Sequence, residues 1–366
     1  MKKNKIRIAG KVFSAEEILA AQHVYFFAQS PLHQQLLLFL REWFSPEKTI
    51  SLQTSGSTGS PKRIIVRKEQ MVQSARMTCD FFQLKENDKA LLCLPLDYIA
   101  GKMMVVRAIC GGLDLYPVTP SGHPLAGTTT AFDFAAMVPL QVYNTLQSPE
   151  DKKRFSQIKR VIIGGGAVDP QLEEALRDFP NDIYSTYGMT ETVSHIALRK
   201  INGAGAEKGY TPLRGVSLEL SDEQTLIIHA PHVANETLVT NDIAEIHTDG
   251  TFRILGRKDN VINTGGIKVQ AEEVERIIRP CIKGNLAITA VPHPRLGEAV
   301  VLLIEPLNNP GILKREVKKL LPRHQQPLHI FVVENIPQTG SGKTNRVAAK
   351  KLAMQKATLP DSSSCH

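Results

Sequence analysis

The sequence predicts an α/β fold: a large N-terminal domain of parallel-type sheets with helices and a small β-barrel-like part, then a small α+β domain. Three observations carry this. Between residues 90 and 186, short apolar runs alternate with helical stretches, the pattern of a largely parallel sheet covered on its faces. After about residue 205 the texture changes to short alternating strands. Gly-rich segments follow several apolar runs, at the strand ends where α/β sheets bind ligands.

Taken in order, residues 14–43 read as helical, with Ser14 as N-cap, Glu16-Glu17 in the first turn and Leu36-Leu37-Leu38-Phe39-Leu40 in a second helix. Residues 51–66 read as strand, loop, strand. Residues 69–82 form a helix with Met71, Val72, Ala75 and Thr78 on one face. Residues 90–94 are a buried strand ended by Pro95. Residues 102–109 are apolar around Arg107 and stop at Gly111-Gly112. Strands follow at 135–139, 159–163 and 182–186, with a helix opened by Asp169-Pro170 between the last two. Strands at 217–220, 225–229, 244–247 and 252–255 suggest a small antiparallel sheet or barrel. Beyond it come a helix at 271–278, strands near 288 and at 300–304, a helix at 313–321 and a strand at 330–333. The domain boundary falls at Lys258–Asp259, giving 1–258 and 259–366. The tail 359–366 is polar.

A chain of 366 residues suffices for two or three domains. Its net charge of +8 implies a basic surface suited to anionic partners. No dense Lys/Arg run with interleaved aromatics points to nucleic acid. Cys79, Cys93, Cys110, Cys281 and Cys365 form no C-x-x-C pair, which fits a reducing, cytoplasmic setting. We expect no signal peptide, and no run reaches the roughly 18 apolar residues of a membrane helix.

Thr54-Ser55-Gly56-Ser57-Thr58-Gly59-Ser60-Pro61-Lys62 has the chemistry of a polyphosphate-holding loop. Gly56 and Gly59 let backbone N–H groups approach an anion; Ser55, Ser57 and Thr58 add hydroxyl donors; Lys62 adds charge. It is not a Walker A motif, which needs Gly-Lys-Ser/Thr five residues after its first glycine. Alone it reads equally well as a solvated turn. Three further segments weigh against that. Tyr187-Gly188-Met189-Thr190-Glu191-Thr192 offers an aromatic face for a base, a hydroxyl for a phosphate oxygen and a carboxylate for Mg²⁺. Asp242 can take the two hydroxyls of a ribose, and Arg257 offers a donor fork nearby. Residues 337–345 present Lys343 on a Gly/Ser loop.

Together, and in this order, these segments resemble the adenylate-forming superfamily of acyl- and aryl-CoA ligases, luciferases and nonribosomal peptide adenylation domains. The resemblance spans roughly residues 50–350. It implies that Thr54–Lys62 covers the ATP β- and γ-phosphates. It assigns Gly164, Gly165, Gly166 and Ala167 to the wall of the adenine and acyl pocket. Tyr187, Gly188, Thr190 and Glu191 become the adenine, phosphate and magnesium block. Asp242 and Arg257 become ribose contacts, Asp259 the hinge of a mobile C-terminal domain, and Lys343 the bridge between acyl carboxylate and α-phosphate. Lys268, in Gly265-Gly266-Ile267-Lys268, belongs to a second face for the thioester step.

Within the superfamily the chain looks most like the o-succinylbenzoate–CoA ligases of menaquinone synthesis. The supporting text is Leu94-Pro95-Leu96-Asp97-Tyr98-Ile99-Ala100-Gly101 with Arg107, and residues 187–195. The implied reaction joins o-succinylbenzoate to coenzyme A with ATP and Mg²⁺, through an acyl-adenylate, releasing AMP and pyrophosphate. Tyr98, Arg107, Ser194 and His195 are its candidates for holding the acid. Three departures stand out. Asp97-Tyr98 replaces Phe-His, Thr240-Asn241-Asp242 replaces Thr-Gly-Asp, and the segment before the phosphate loop is short. Another aryl- or acyl-CoA ligase and a carrier-protein-loading domain remain as alternatives. No nucleic-acid or membrane-spanning role is expected, and a homo-oligomer stays open.

Overall fold

The computed structural model describes residues 4–20, 22, 24–53, 63–307, 310–338 and 344–358. The loop residues Thr54, Ser55, Gly56, Ser57, Thr58, Gly59 and Lys62, and Lys343, lie outside the described residues.

A nine-stranded sheet organises the first part of the chain. Its order is Thr211–Pro212, His195–Lys200, Asp182–Gly188, Arg160–Ile163, Phe134–Met137, Lys89–Leu92, Asp114–Pro117, Lys5–Ile8, Lys11–Ser14. The middle strands, from Asp182–Gly188 across to Lys5–Ile8, pair in parallel; both ends are antiparallel. Alternation sends successive residues to opposite faces. Ala90 and Leu92 join one core with helices Pro31–Phe44, Lys68–Phe81 and Ile99–Gly111. Leu91 and Cys93 join a second core with Phe155 and Leu172 on the other face. The predicted parallel sheet with helices on both sides is the observed one.

Local chemistry sets the boundaries. Ser14 and Glu17 form a capping box over helix Ala15–Leu19. Asp169 accepts from the N–H groups of Gln171 and Leu172, and Pro170 opens helix Pro170–Leu176. Gly112, at φ 72°, ends helix Ile99–Gly111. Lys68 is buried, and its ammonium donates to the carbonyls of Glu42 and Ser45 at 2.6 and 3.0 Å, closing the C-terminus of helix Pro31–Phe44. Lys68→Met strands those carbonyls. The expected loss is about 1–3 kcal/mol, read as a lower denaturation midpoint in urea.

Strands Thr49–Gln53 and Arg63–Arg67 pair as a hairpin that brackets the phosphate-loop segment. Strands Ser217–Leu220, Thr225–His229, Leu238–Ile246 and Phe252–Arg257 form a four-stranded antiparallel meander. The barrel-like part foreseen from the sequence is this open sheet. Among the described residues no pairing joins its first and last strands.

The remainder has its own sheet, with strand Gly297–Ile304 between Leu286–His293 and His329–Val332. Ile288, Ala290, Val300 and Leu302 pack under helices Ala271–Ile278 and Pro310–Leu320. Ala287, Val291, Val301 and Leu303 pack under helix Arg346–Thr358. Among the described residues no helix is long and apolar enough to cross a membrane.

Candidate active site

The strand order reverses at Lys89–Leu92. Asp114–Pro117 pairs on one side of it and Phe134–Met137 on the other. In such sheets ligands lie beyond the C-terminal strand ends at the reversal. Three loops leave that edge: residues 93–98, 164–169 and 189–194. The first is packed tightly. A Cβ on Gly101 would meet the Pro95 carbonyl oxygen at 2.3 Å, so helix Ile99–Gly111 sits directly against it. Tyr98 precedes that helix and is 37% exposed. The loop 164–167 leaves strand Arg160–Ile163, where the sequence predicts it.

Strand Asp182–Gly188 runs two residues further than predicted, so Tyr187 and Gly188 are strand residues. Gly188 passes against the returning strand. A Cβ there would lie 2.3 Å from the Ser194 carbonyl oxygen and 2.5 Å from the His195 Cα. Both obstacles are backbone, so Gly188→Ala must push the 189–195 turn away. A loss of about 1–3 kcal/mol is expected, with a fall in activity larger than the fraction unfolded explains. Chemical denaturation and steady-state assay of the same preparation check it.

Around Tyr187 four polar groups meet. Its hydroxyl donates to Asp242 at 2.7 Å. Burial, then the Asp242 charge, raises the Tyr187 hydroxyl above its ordinary value and keeps it a donor. Its ring packs edge-on to Phe252 at 5.3 Å. Asp242 and Arg257 are cross-strand partners in the meander, and Arg257 donates to Asp242 at 3.2 Å. The same guanidinium reaches Asp259 at 2.9 Å, and the Asn241 amide lies 3.3 and 3.4 Å from the two Asp259 oxygens. The structure thus joins the predicted ribose contacts to the predicted hinge. Asn241, a departure in the sequence, adds a bond to Asp259 that a glycine could not make.

The third cluster is buried. Arg107 is 2% exposed. Its Nε donates to the Thr78 hydroxyl at 3.2 Å, its Nη2 to the Ser194 hydroxyl at 2.8 Å, and its Nη1 to the Met104 sulfur at 3.7 Å. A guanidinium has five N–H donors, so two are left over. Among the described residues no carboxylate pairs with it. Burial pushes its pKa down to about 10. His195 is buried beside it, with Nε2 at 3.1 Å from the Thr78 hydroxyl and Nδ1 at 3.5 Å from the Ser194 hydroxyl. Burial, then Arg107, holds its pKa well below the ordinary value, so it is neutral. His195, expected to face the acid, instead packs within this network. Ser194 is half-buried at its edge.

The turn that delivers Ser194 is unusual. Val193 has φ 66°, in the left-handed region that a β-branched residue rarely adopts, and is fully buried. The Thr192 hydroxyl braces it: its single proton lies between the carbonyls of Ser194, at 2.7 Å, and Met189, at 3.0 Å, and its oxygen accepts from the Met189 N–H at 3.0 Å. Thr190 is half-buried and its carbonyl accepts from the Val193 N–H at 2.9 Å. The Glu191 carboxylate is exposed. An exposed carboxylate suits Mg²⁺, which takes one or two carboxylates and completes its shell with phosphate and water. Lys268 is exposed on strand Ile267–Gln270. Thr78 carries no site signal in the sequence, since a threonine on an apolar helical face says nothing of its partner; Thr192 lies inside the 187–192 segment, but its bracing role shows only in the folded turn.

A family model described as "AMP-binding enzyme" matches residues 5–240. A 2-succinylbenzoate–CoA ligase of Escherichia coli is 28% identical over 347 residues, covering 89% of this chain and 74% of the relative. An acyl-CoA synthetase (AMP-forming)/AMP-acid ligase II-like protein of Dyadobacter fermentans is 34% identical, with TM-score 0.61, covering 88% of this chain and 94% of that one. The o-succinylbenzoate CoA synthetase of Bacillus subtilis, solved with the acyl-adenylate OSB-AMP, shares the fold at TM-score 0.70 and 21% identity, covering 81% and 68%. A match over more than half the chain, on a sheet that gathers the expected loops at one edge, is decisive: this chain belongs to the AMP-binding, adenylate-forming enzyme family.

Proposed function

We propose that the chain is an AMP-forming acid–CoA ligase acting on o-succinylbenzoate, in the cytoplasm, as a step of menaquinone synthesis. One observation carries the substrate assignment: a fully buried guanidinium with two free N–H groups and no carboxylate partner among the described residues. An unpaired buried charge is costly and is kept where a ligand supplies its counter-ion. o-Succinylbenzoate carries two carboxylates. One is activated and the other can pair with Arg107. The 2-succinylbenzoate–CoA ligases among the relatives support the same acid.

In the first half-reaction a carboxylate oxygen of the acid attacks the α-phosphorus of ATP. The bond to pyrophosphate breaks and the acyl-adenylate forms. Asp242 holds the ribose hydroxyls, with Tyr187 and Arg257 fixing its two oxygens. The 54–62 loop holds the leaving phosphates, and Gly164–Ala167 line the pocket. Glu191 with Thr190 would hold Mg²⁺, which offsets charge on the phosphate oxygens. Lys343 neutralises the charge developing at the α-phosphate.

In the second half-reaction the coenzyme A thiolate attacks the acyl carbonyl, and AMP leaves with the C–O electron pair. We place the domain boundary at Lys258–Asp259, in the 3₁₀ turn Lys258–Asn260. Rotation there withdraws Lys343 and presents Lys268. Arg257 spans the two parts, bonded to Asp242 on one side and Asp259 on the other.

The test is pyrophosphate release with Mg²⁺–ATP and o-succinylbenzoate, benzoate or hexanoate, each with and without coenzyme A. Release with o-succinylbenzoate, sustained only with coenzyme A, is expected. Release with another acid alone would keep the chemistry and discard the substrate.

A further inference from the structure

We propose that Thr78 and His195 are positioning residues for the acid's second carboxylate, acting through Arg107. The proposal rests on the substrate reading above. It goes beyond it in assigning a role to two side chains that touch no substrate.

Thr78, Arg107 and His195 come from three separate elements: helix Lys68–Phe81, helix Ile99–Gly111 and strand His195–Lys200. They are 1%, 2% and 6% exposed, so bulk water has little access to them. A hydroxyl has one proton to give and two lone pairs. Thr78 gives its proton to the Ser74 carbonyl one turn back, at 3.1 Å. Its lone pairs then receive Arg107 Nε–H and His195 Nε2, at 3.2 and 3.1 Å. His195 must therefore carry its proton on Nε2. Its bare Nδ1 accepts from the Ser194 hydroxyl at 3.5 Å, and Ser194 accepts from Arg107 Nη2 at 2.8 Å. The ring closes in one direction only: Arg107 gives to both hydroxyls, Ser194 gives to His195, and His195 gives to Thr78.

Two consequences follow. The guanidinium is anchored at Nε and at Nη2, which fixes its plane before any ligand arrives. Its remaining N–H groups are preorganised, and binding loses less rotamer freedom. The ring also engages Arg107 through neutral groups alone, and leaves two of its N–H groups over. A carboxylate in place of His195 would cancel the charge the acid needs. A valine in place of Thr78 would release the guanidinium plane and leave the His195 Nε2–H without an acceptor.

The experiment compares o-succinylbenzoate with benzoylpropionate, which keeps the keto chain and lacks the ring carboxylate. Pyrophosphate release gives kcat and KM for each acid with wild type, Thr78→Val, Thr78→Ser and His195→Gln. Wild type is expected to prefer the diacid. Thr78→Val should lower that preference about tenfold, through KM for o-succinylbenzoate, with KM for ATP unchanged. Thr78→Ser keeps the hydroxyl and should restore the preference to within about twofold. His195→Gln, which can still donate to Thr78, should fall between them. If wild type discriminates and Thr78→Val loses activity on both acids equally, or Thr78→Ser fails to rescue, the positioning role is overturned while the substrate reading stands. If wild type acts on both acids without preference, the reading of Arg107 fails and the positioning role falls with it.

Discussion

Lys343→Ala is expected to lower acyl-adenylate formation about 100- to 1000-fold, the loss typical of removing one preorganised charge-stabilising group. Thioester formation from a supplied o-succinylbenzoyl-adenylate and coenzyme A should stay within a few-fold of wild type. The asymmetry follows from the chemistry. Negative charge builds at the α-phosphate only in the first half-reaction. The second expels AMP from a carbonyl carbon, and under the hinge reading Lys343 has then left the site. The flanks of its loop are firmly held. Gln338 and Thr344 form a β-bridge, and the Asn345 N–H donates to the Pro337 carbonyl at 2.8 Å. Arg346 makes a two-pronged ion pair with Glu275, at 2.5 and 2.7 Å. The substitution is therefore expected to leave the fold intact. Pyrophosphate release and thioester absorbance, measured separately, check the split. Equal loss in both would overturn the division of labour between the two parts of the chain.

How much of this was legible in the sequence depends on the range over which each feature is encoded. Elements announced by local pattern were legible. Apolar runs at 90–94 and 159–163, the Asp169-Pro170 start and the Gly111-Gly112 stop all act within a few residues, and each lies where it was expected. The meander was legible as strands but not as open or closed, because closure depends on pairing between first and last strands. Tyr187, Asp242 and Arg257 were legible singly. Their bonding was not, since Tyr187 and Asp242 are 55 residues apart in the chain. The Arg107 cluster is the extreme case. Thr78 and His195 are separated by 117 residues and Arg107 and Ser194 by 87. A helix with one arginine among apolar residues most often pairs that arginine with a carboxylate. Only the packed structure reveals that its partners are two hydroxyls and a sulfur.

Arg107→Met is expected to separate stability from specificity. A methionine roughly fills the space of the stem and brings no charge. Burial lowers the Arg107 pKa from its ordinary value to about 10, so the folded state disfavours the charged form. The penalty is fully present below about pH 10 and is relieved as pH rises toward the unfolded value. The gap corresponds to roughly 3 kcal/mol. Against it stand the hydrogen bonds to Thr78 and Ser194, which the variant loses. Replacing a buried charge by an apolar side chain of similar volume is often neutral or stabilising. The midpoint of thermal unfolding at pH 7 should therefore equal or exceed that of wild type. On specificity the change runs the other way. kcat/KM for o-succinylbenzoate should fall about 100-fold, the equivalent of roughly 2.7 kcal/mol, because the second carboxylate loses its cation. kcat/KM for benzoylpropionate should change by less than about threefold. A variant that is no less stable yet has lost the diacid marks Arg107 as kept for the substrate. A variant that unfolds several degrees earlier, with both acids affected alike, would mark it as a brace between helices Lys68–Phe81 and Ile99–Gly111 instead.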